Sequence, residues 1–177
     1  MNLAALALAP EASEYNPYYG RYISLVKTDN IVATLETQVQ ETLAILRRVD
    51  ESKANHRYAP EKWTVKDVLG HMSDTERIFA YRALRISRND KTPIEGFEQD
   101  DYVRSGPFCN CRWSDLVDEF GAIRRTTVFL FRGLSEEAWS RRGTASDYEV
   151  SVRALAHIIA GHELHHRKVL KEKYGIS

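Results

Sequence analysis

The sequence has little cysteine, no net charge and no long apolar run. Its 177 residues include two cysteines, and 25 Lys plus Arg balance 25 Asp plus Glu. A chain without net charge has no overall field to attract a nucleic acid or an acidic membrane, which argues against both as partners. No stretch approaches the ~20 consecutive apolar residues that a membrane-spanning helix needs, so we expect no membrane segment.

The two cysteines, Cys109 and Cys111, are separated by a single residue. Such close neighbours cannot build the disulfide framework of a secreted domain, and the pair lacks the spacing of a structural zinc site. We interpret both as free thiols and predict a cytoplasmic protein. The apolar start, Met1 to Ala9, carries no Lys or Arg and is too short for a secretion signal, so we expect a docking or frayed arm.

Hydrophobic periodicity predicts an all-α fold. Four segments repeat apolar residues every three or four positions, and none of comparable length alternates as a strand would. The chain length suits one domain, and four helices of about 20 residues fit a four-helix bundle. The sequence places these helices near 30–49, 64–87, 114–133 and 151–174.

Capping residues indicate where these helices begin and end. Asp29 or Asn30 would cap the first helix, whereas Thr64, with Asp67 three residues later, resembles a capping box at the start of the second. The third helix would end at Gly133 in a left-handed conformation, which glycine adopts at little cost.

Two connections are long enough to reach a functional site. The segment 89–112 contains two prolines and two glycines and is longer than a tight antiparallel turn requires. We therefore predict a four-helix bundle with a long crossover connection there. The 133–150 segment would lie near the same end of the bundle, and both loops would set substrate choice. The first loop offers polar contacts from Asp100, Asp101, Tyr102 and Arg104.

The chain ahead of the first helix is rich in tyrosine. We expect this aromatic cluster to pack against the bundle or against a second subunit. We accordingly divide the chain into an N-terminal arm, residues 1–28, and a single bundle domain, residues 29–177. The tyrosines are Tyr15, Tyr18, Tyr19 and Tyr22.

His162 and His166 are the strongest candidates for chemistry. A helix advances about 100° per residue, so they share one face, in register with the apolar positions of the fourth helix. Burying an unpaired polar ring costs on the order of 1–3 kcal/mol, so the pair predicts a bound metal or hydrogen bonds to core carbonyls or carboxylates. His71, in the second helix, could complete a three-nitrogen shell that leaves a position for water or substrate.

The run from His162 to His166 also matches the His-Glu-x-x-His pattern of zinc metalloproteases, in which the glutamate activates the metal-bound water. Only 11 residues follow His166. None of them is His, Asp or Cys, which argues against a peptidase. Glu163 stays open as the base of a metal-dependent hydrolase, and His165 as a neighbouring acid-base group.

The sequence around His71 allows two interpretations. Asp74 and Thr75 lie about one helical turn further on, and either could orient the imidazole ring or a bound water. Alternatively, the charged residues of this segment could pair along the helix, each pair contributing a few tenths of a kcal/mol. Those residues are Asp74, Glu76, Arg77 and Arg82.

Taken together, these motifs resemble the DinB/YfiT-like superfamily of metal-binding four-helix bundles. The resemblance covers nearly everything from Tyr15 to Tyr174. Its carriers are YAPEKWTVKDVLGH at 58–71, ERIFAYR at 76–82, Gly96-Phe97, SVRAL at 151–155 and GHELHH at 161–166.

The resemblance implies that His71, His162 and His166 form the family's metal triad. It implies one divalent ion, zinc or nickel most often and iron as a further option. It also implies a homodimer and an unusual helix order with a long crossover.

The same resemblance implies a reaction class. Characterised relatives are thiol-dependent transferases or isomerases that use low-molecular-weight thiols such as bacillithiol or mycothiol. We therefore expect a thiol S-transferase or isomerase that acts on a small electrophile in detoxification or stress response. A metal-dependent hydrolase and a non-catalytic metal-binding or dimerisation protein stay open as alternatives.

Overall fold

The computed structural model describes residues 9–177, so most of the predicted Met1 to Ala9 arm lies outside the described residues. In the described part, four long helices are joined by connections that contain short helices and one hairpin. None of the helices in this part is both long and apolar enough to span a membrane. The helices are α1 (Gly20–Ile23), α2 (Ile31–Leu46), α3 (Glu51–Ala54), α4 (Val65–Ser87), α5 (Gln99–Ser105), α6 (Trp113–Arg132), α7 (Glu136–Ser140) and α8 (Val152–Tyr174).

Local capping explains where the long helices begin. The side chain of Asn30 caps α2, as predicted. Thr64 and Asp67 form the predicted capping box at the start of α4, each side chain accepting from the other's backbone N–H. Ser151 caps α8 through its hydroxyl oxygen.

Two helix ends differ from the prediction. Helix α2 ends at Leu46 rather than near Val49, and α6 begins at Trp113 rather than near Ser114. Trp113 explains both ends, because its indole N–H donates to the carbonyl of Leu46 and its backbone N–H donates to the carboxylate of Glu51. These tertiary bonds tie the start of α6 to the end of α2.

The predicted left-handed cap at Gly133 is wrong. Gly133 has φ −82°, and its N–H still donates to the carbonyl of Phe129 as a helical residue would. The left-handed cap is at Gly175, with φ 67°, after α8. Glycine permits the left-handed conformation but does not require it, so the residue type alone could not distinguish the two ends.

The bundle helices do not follow chain order around the bundle. Both α4 and α2 pack against α6 and α8, so α2 and α4 lie diagonally across from each other. Helices α4 and α6 are parallel, because Lys66 contacts Cys111 near their starts and Glu76 contacts Arg124 further along both. A parallel pair needs a connection that returns along the bundle, and residues 89–112 provide it. The predicted four-helix bundle with a long crossover is confirmed.

The 133–150 connection contains a hairpin that periodicity did not predict. Strands β1 (Arg142–Ala145) and β2 (Tyr148–Ser151) pair antiparallel. The turn residues Ser146 and Asp147 have φ 51° and 64°, as in the primed turns that suit two-residue hairpins. Ile94 of the crossover adds a parallel bridge to β1. Strands of four residues are too short to show a clear alternation.

The tyrosines that precede α2 pack on the bundle. The ring of Tyr19 meets that of Phe79 edge to face, with centroids 5.7 Å apart, and the ring of Tyr22 meets that of His162 at 5.3 Å. At Gly161 a methyl group would overlap the Tyr22 carbonyl, so glycine allows the two backbones to approach closely.

The bundle core consists of two apolar clusters with a polar layer between them. One cluster contains Phe79 and Phe131, and the other contains Met72 and Phe120. Buried polar side chains occupy the helical turns between these clusters. This polar layer includes Thr42, Glu76, Arg124, His162 and Glu163.

Candidate metal centre

The three predicted histidines lie together between α4 and α8. The Nε2 atom of His162 is 3.1 Å from Nε2 of His71 and 3.1 Å from Nε2 of His166. One ligand atom from each residue lies within 4.8 Å of the other two, and all three side chains are buried. We call these residues the His triad.

A shared divalent ion explains the arrangement of the His triad nitrogens better than hydrogen bonds among the three rings do. A neutral imidazole carries a single N–H, so three converging Nε2 atoms cannot all be satisfied by mutual hydrogen bonds. Nitrogens bound tetrahedrally to one Zn²⁺ would be about 3.3 Å apart, close to the separations of 3.1 Å seen here. Thr75 Oγ1 lies 3.4 Å from Nδ1 of His71, whereas Nδ1 of His166 has no hydrogen-bond partner within residues 9–177.

Burial keeps the His triad uncharged at neutral pH. Burial lowers the pKa of His71 to about 4. Burial, together with the neighbouring histidines, lowers the pKa of His162 and His166 well below the usual value. Because histidine binds a metal as the neutral imidazole, the triad can accept a cation near pH 7 without first losing protons.

Aromatic side chains enclose the His triad. The ring centroid of Trp63 is 4.9 Å from that of His71, and Tyr22 covers His162. His165 is only partly buried, and its ring packs against Tyr22 at 5.3 Å. Trp63 and Tyr22 therefore cover the rings of His71 and His162 on one side each.

His157 provides the contrast of a structural histidine on the same helix. It is 2% exposed, and its Nδ1 lies 3.0 Å from the carbonyl oxygen of Arg153. This is the backbone hydrogen bond that the sequence left open for His162 and His166. Those two residues instead direct Nε2 toward other histidines.

The His triad opens onto two cavities. His71 and His162 line the first, with a volume of about 720 Å³, and His166 lines the second, of about 800 Å³. Both volumes fall within the ~300–1,000 Å³ typical of small-molecule sites. The crossover lines both cavities through the residues predicted as contacts: Asp101 and Tyr102 in the first, Asp100 and Arg104 in the second.

The predicted free cysteines are confirmed, and one of them reaches the second cavity. Cys109 is exposed and lines that cavity, whereas Cys111 is partly buried. Neither belongs to the group of side chains that could hold a metal ion.

A second buried polar group lies next to the His triad. Arg124 donates to both oxygens of Glu76, at 2.7 and 2.8 Å, and to Oε2 of Glu163 at 2.5 Å. The hydroxyl of Thr42 donates to the other Glu163 oxygen at 2.5 Å. Each of the four bundle helices contributes one of these side chains, and we call them the Arg124 network.

The Arg124 network overturns the interpretation of Glu163 as a catalytic base. Both of its carboxylate oxygens are held by Thr42 and Arg124, and the side chain is 1% exposed. The His-Glu-x-x-His pattern is present, but its glutamate is occupied in the core. The structure therefore argues against the peptidase mechanism of that pattern.

The predicted ion pairs along α4 form only in part. Asp74 pairs with Arg77 at 3.2 Å, whereas Glu76 turns inward to Arg124. Arg82 donates to the carbonyl of Glu95 and the hydroxyl of Ser146. Thr75, not Asp74, is the neighbour that reaches the ring of His71.

Arg124 is a neighbour of the His triad that was not predicted from the sequence, although a signal was present. Arg124 follows Phe120 by four residues, as His166 follows His162, so it falls on the buried stripe of α6. Glu76 holds the same relation to Met72 on α4. A charged residue in register with an apolar stripe is the pattern that identified the histidines.

Comparison with known proteins identifies the family. The family model described as the DinB superfamily matches residues 34–170. The chain is a member of the DinB superfamily. No curated protein sequence matches it.

Two solved structures share the fold of this DinB superfamily member. The first, YfiT from Bacillus subtilis, is described as a probable metal-dependent hydrolase with an unusual four-helix bundle topology. It is 14% identical, with a TM-score of 0.70, and the alignment covers 100% of both chains. The second is a mycothiol-dependent maleylpyruvate isomerase, 12% identical with a TM-score of 0.67, over 82% of this chain and 61% of that one. At these identities the likeness establishes the fold.

Proposed function

We propose that this DinB superfamily member is a divalent-metal-dependent enzyme that transfers or adds a small thiol to an electrophilic substrate. The observation that carries the proposal is a buried triad of neutral imidazoles that opens onto two cavities of small-molecule size. A thiol transferase needs room for two organic ligands at one centre. A hydrolase needs room for one organic ligand and water.

His71, His162 and His166 would hold one Zn²⁺, Ni²⁺ or Fe²⁺ ion through Nε2. Bound there, the ion supplies a Lewis acid that lowers the pKa of a coordinating thiol or water. Thr75 would orient the ring of His71 through Nδ1. Trp63, packed on the same ring, would keep that side of the centre dry.

The structural relatives support two nucleophiles. The likeness to a mycothiol-dependent isomerase supports a small thiol as cosubstrate. The likeness to a probable metal-dependent hydrolase supports water as the alternative, so metal-dependent hydrolysis is our second candidate. A non-catalytic metal-binding or dimerisation protein is the third, and it would bind metal without turnover.

The remaining expectations from the sequence belong to the same proposal. We place the protein in the reducing cytoplasm, as a homodimer that acts in detoxification or stress response. Its partners would be a thiol and an electrophile, not a nucleic acid or a membrane. Residues 1–28 would serve as an arm on a single bundle domain, residues 29–177.

The proposal is tested by activity with and without metal. Untagged protein loaded with Zn²⁺, Ni²⁺ or Fe²⁺, and chelator-treated protein, would be incubated with monochlorobimane and cysteine, glutathione, bacillithiol or mycothiol, and separately with ester and amide substrates. We expect metal-dependent conjugation that is lost in His162→Ala/His166→Ala and kept in His56→Ala, whose residue is exposed.

The other outcomes select among the candidates. Metal-dependent ester or amide cleavage without conjugation would replace the transferase with the hydrolase. Metal binding without turnover on any substrate would favour the non-catalytic protein. Protein-catalysed conjugation that proceeds equally fast with and without metal would contradict the role of the His triad.

A further inference from the structure

We propose that the Arg124 network supplies the counter-charge of the metal site, so that its excess negative charge raises the affinity of the His triad for a divalent cation. This inference rests on the proposed metal site. It assigns Glu76 and Glu163 a role beyond holding the four helices together.

The Arg124 network and the His triad are in close proximity. His162 and Glu163 are consecutive residues, and a void of about 10 Å³ is lined by both, together with Glu76 and Arg124. A void of that size holds at most one water molecule. Thr75, which reaches His71, lines the same void. The network therefore lies next to His162, one of the three proposed ligands, and next to Thr75, which contacts a second.

The network is unbalanced in charge. Two carboxylates, Glu76 and Glu163, face one guanidinium, Arg124, which gives a formal charge of −1. Their side chains are 4%, 1% and 1% exposed, so bulk water does little to screen that charge. Arg82 is also buried, but it lies six residues beyond Glu76 on α4, or about 9 Å along the helix, and donates to neutral oxygens. Two further charges act on the triad in opposite directions: Arg21, which lies over the rings of Tyr18 and Tyr22, disfavours positive charge at His162, and Asp100 favours it at His71.

The proposed metal site has the opposite imbalance. Three neutral imidazoles leave the charge of a divalent ion at +2, and a cation in a buried site is costly unless an opposite charge lies nearby. Charges interact more strongly in the interior than in water. The excess carboxylate is therefore positioned to favour the loaded state over the empty one.

The competing explanation is that the network is purely structural, since it joins α2, α4, α6 and α8. The substitution Glu76→Gln separates the two, because it removes one charge and keeps the shape of the side chain. We would measure the Zn²⁺ affinity of untagged full-length protein by chelator competition. We would also measure the rise in Tm when Zn²⁺ is added.

We expect Glu76→Gln to bind Zn²⁺ about 10-fold more weakly or worse, because the variant removes the excess negative charge of the network from a buried position near the cation. The rise in Tm on adding Zn²⁺ should shrink accordingly. If Glu76→Gln does not fold, Glu163→Gln tests the same charge from α8.

The matched control is Glu14→Gln, the same change in another buried carboxylate. Glu14 is 2% exposed and binds Arg153 and Ser151. Arg153 precedes His162 by nine residues of α8, or about 14 Å. Because electrostatic interaction falls with distance, the Zn²⁺ affinity of this variant should stay within about twofold of wild type.

Three results would overturn the inference, and they are distinguishable. If wild type binds Zn²⁺ and Glu76→Gln is less stable but binds it equally well, the network is structural only. If wild type binds no divalent metal, the proposed function fails and the inference fails with it. Equal weakening in Glu76→Gln and Glu14→Gln would also contradict a local counter-charge.

Discussion

The His triad and the Arg124 network are adjacent in the polar layer, but they differ in whether their polar atoms find hydrogen-bond partners within the protein. In the network, every carboxylate oxygen of Glu76 and Glu163 accepts a hydrogen bond. In the triad, the Nε2 atoms face one another, and Nδ1 of His166 has no partner within residues 9–177. An unsatisfied buried polar atom costs about 1–3 kcal/mol. The network is complete within the protein, whereas the triad fits a further ligand.

Removing Arg124, the centre of the network, should reduce the free energy of unfolding more than any other change considered below. Arg124→Met leaves the carboxylates of Glu76 and Glu163 buried without a cation, which costs about 3–5 kcal/mol in the free energy of unfolding. Urea denaturation of wild type and Arg124→Met would measure this loss of unfolding free energy. The control is Arg132→Met, because the Arg132–Glu36 pair is 45% exposed on both sides and should contribute less than about 1 kcal/mol. Equal losses in the two variants would remove the distinction between a buried and an exposed pair.

Removing a member of the His triad should weaken metal binding strongly but leave the helices intact. His71→Ala should weaken metal binding by more than the roughly 100-fold upper range for outer partners, because a ligand itself is lost. Helix content should persist, since no buried charge is left unpaired. Chelator competition and far-UV circular dichroism would measure the two quantities. Unchanged metal affinity would exclude His71 from the centre.

A smaller effect is expected where the N-terminal segment covers the triad. A methyl group at Gly161 would overlap the carbonyl of Tyr22, so Gly161→Ala should cost about 1–3 kcal/mol through overpacking. It should also change the near-UV circular dichroism of the tyrosines. At Gly133, with φ −82° and no close contact for a Cβ, alanine should be neutral or stabilising. A neutral Gly161→Ala would mean that the tyrosine segment packs less tightly than it does here.

The smallest change should be in the pH dependence of stability. It concerns Glu14, a buried carboxylate outside the polar layer that is hydrogen-bonded by Ser151 and Arg153. Burial alone would raise the pKa of Glu14, but hydrogen bonds from Arg153 and Ser151 outweigh it and lower the pKa below 4.5. A carboxyl with a depressed folded-state pKa stabilises the protein above its unfolded pKa, and that stabilisation is lost as pH falls through the folded pKa.

The stability difference between wild type and Glu14→Gln should therefore be constant from neutral pH to about pH 5 and shrink at lower pH. Unfolding free energies measured at several pH values would test this. A difference that grows on acidification would mean that the pKa of Glu14 is raised in the folded protein, not lowered.

The sequence predicted the long helices and the pairing of His162 with His166 because both depend on local periodicity. Thr64 and Asp67 form a cap within one turn, and His162 and His166 share a face through helix geometry alone. Bringing His71 to them required tertiary packing, and the family resemblance supplied that step.

What the sequence could not predict depends on partners that are distant in the chain. Whether Glu163 acts as a base or as a core anchor is decided by Arg124 and Thr42, which lie 39 and 121 residues away. The hairpin after α6 is stabilised in part by Ile94 of the crossover. No local pattern specifies such contacts.

The metal content of the purified protein would show whether the His triad binds an ion. Untagged protein, purified without a nickel column, would be compared by elemental analysis with the His162→Ala/His166→Ala double variant. We predict about one Zn, Ni or Fe ion per chain in the wild type and loss of that ion in the variant. A wild type that contains no metal and resists reloading, or equal metal content in both proteins, would contradict the assignment of the His triad as a metal centre.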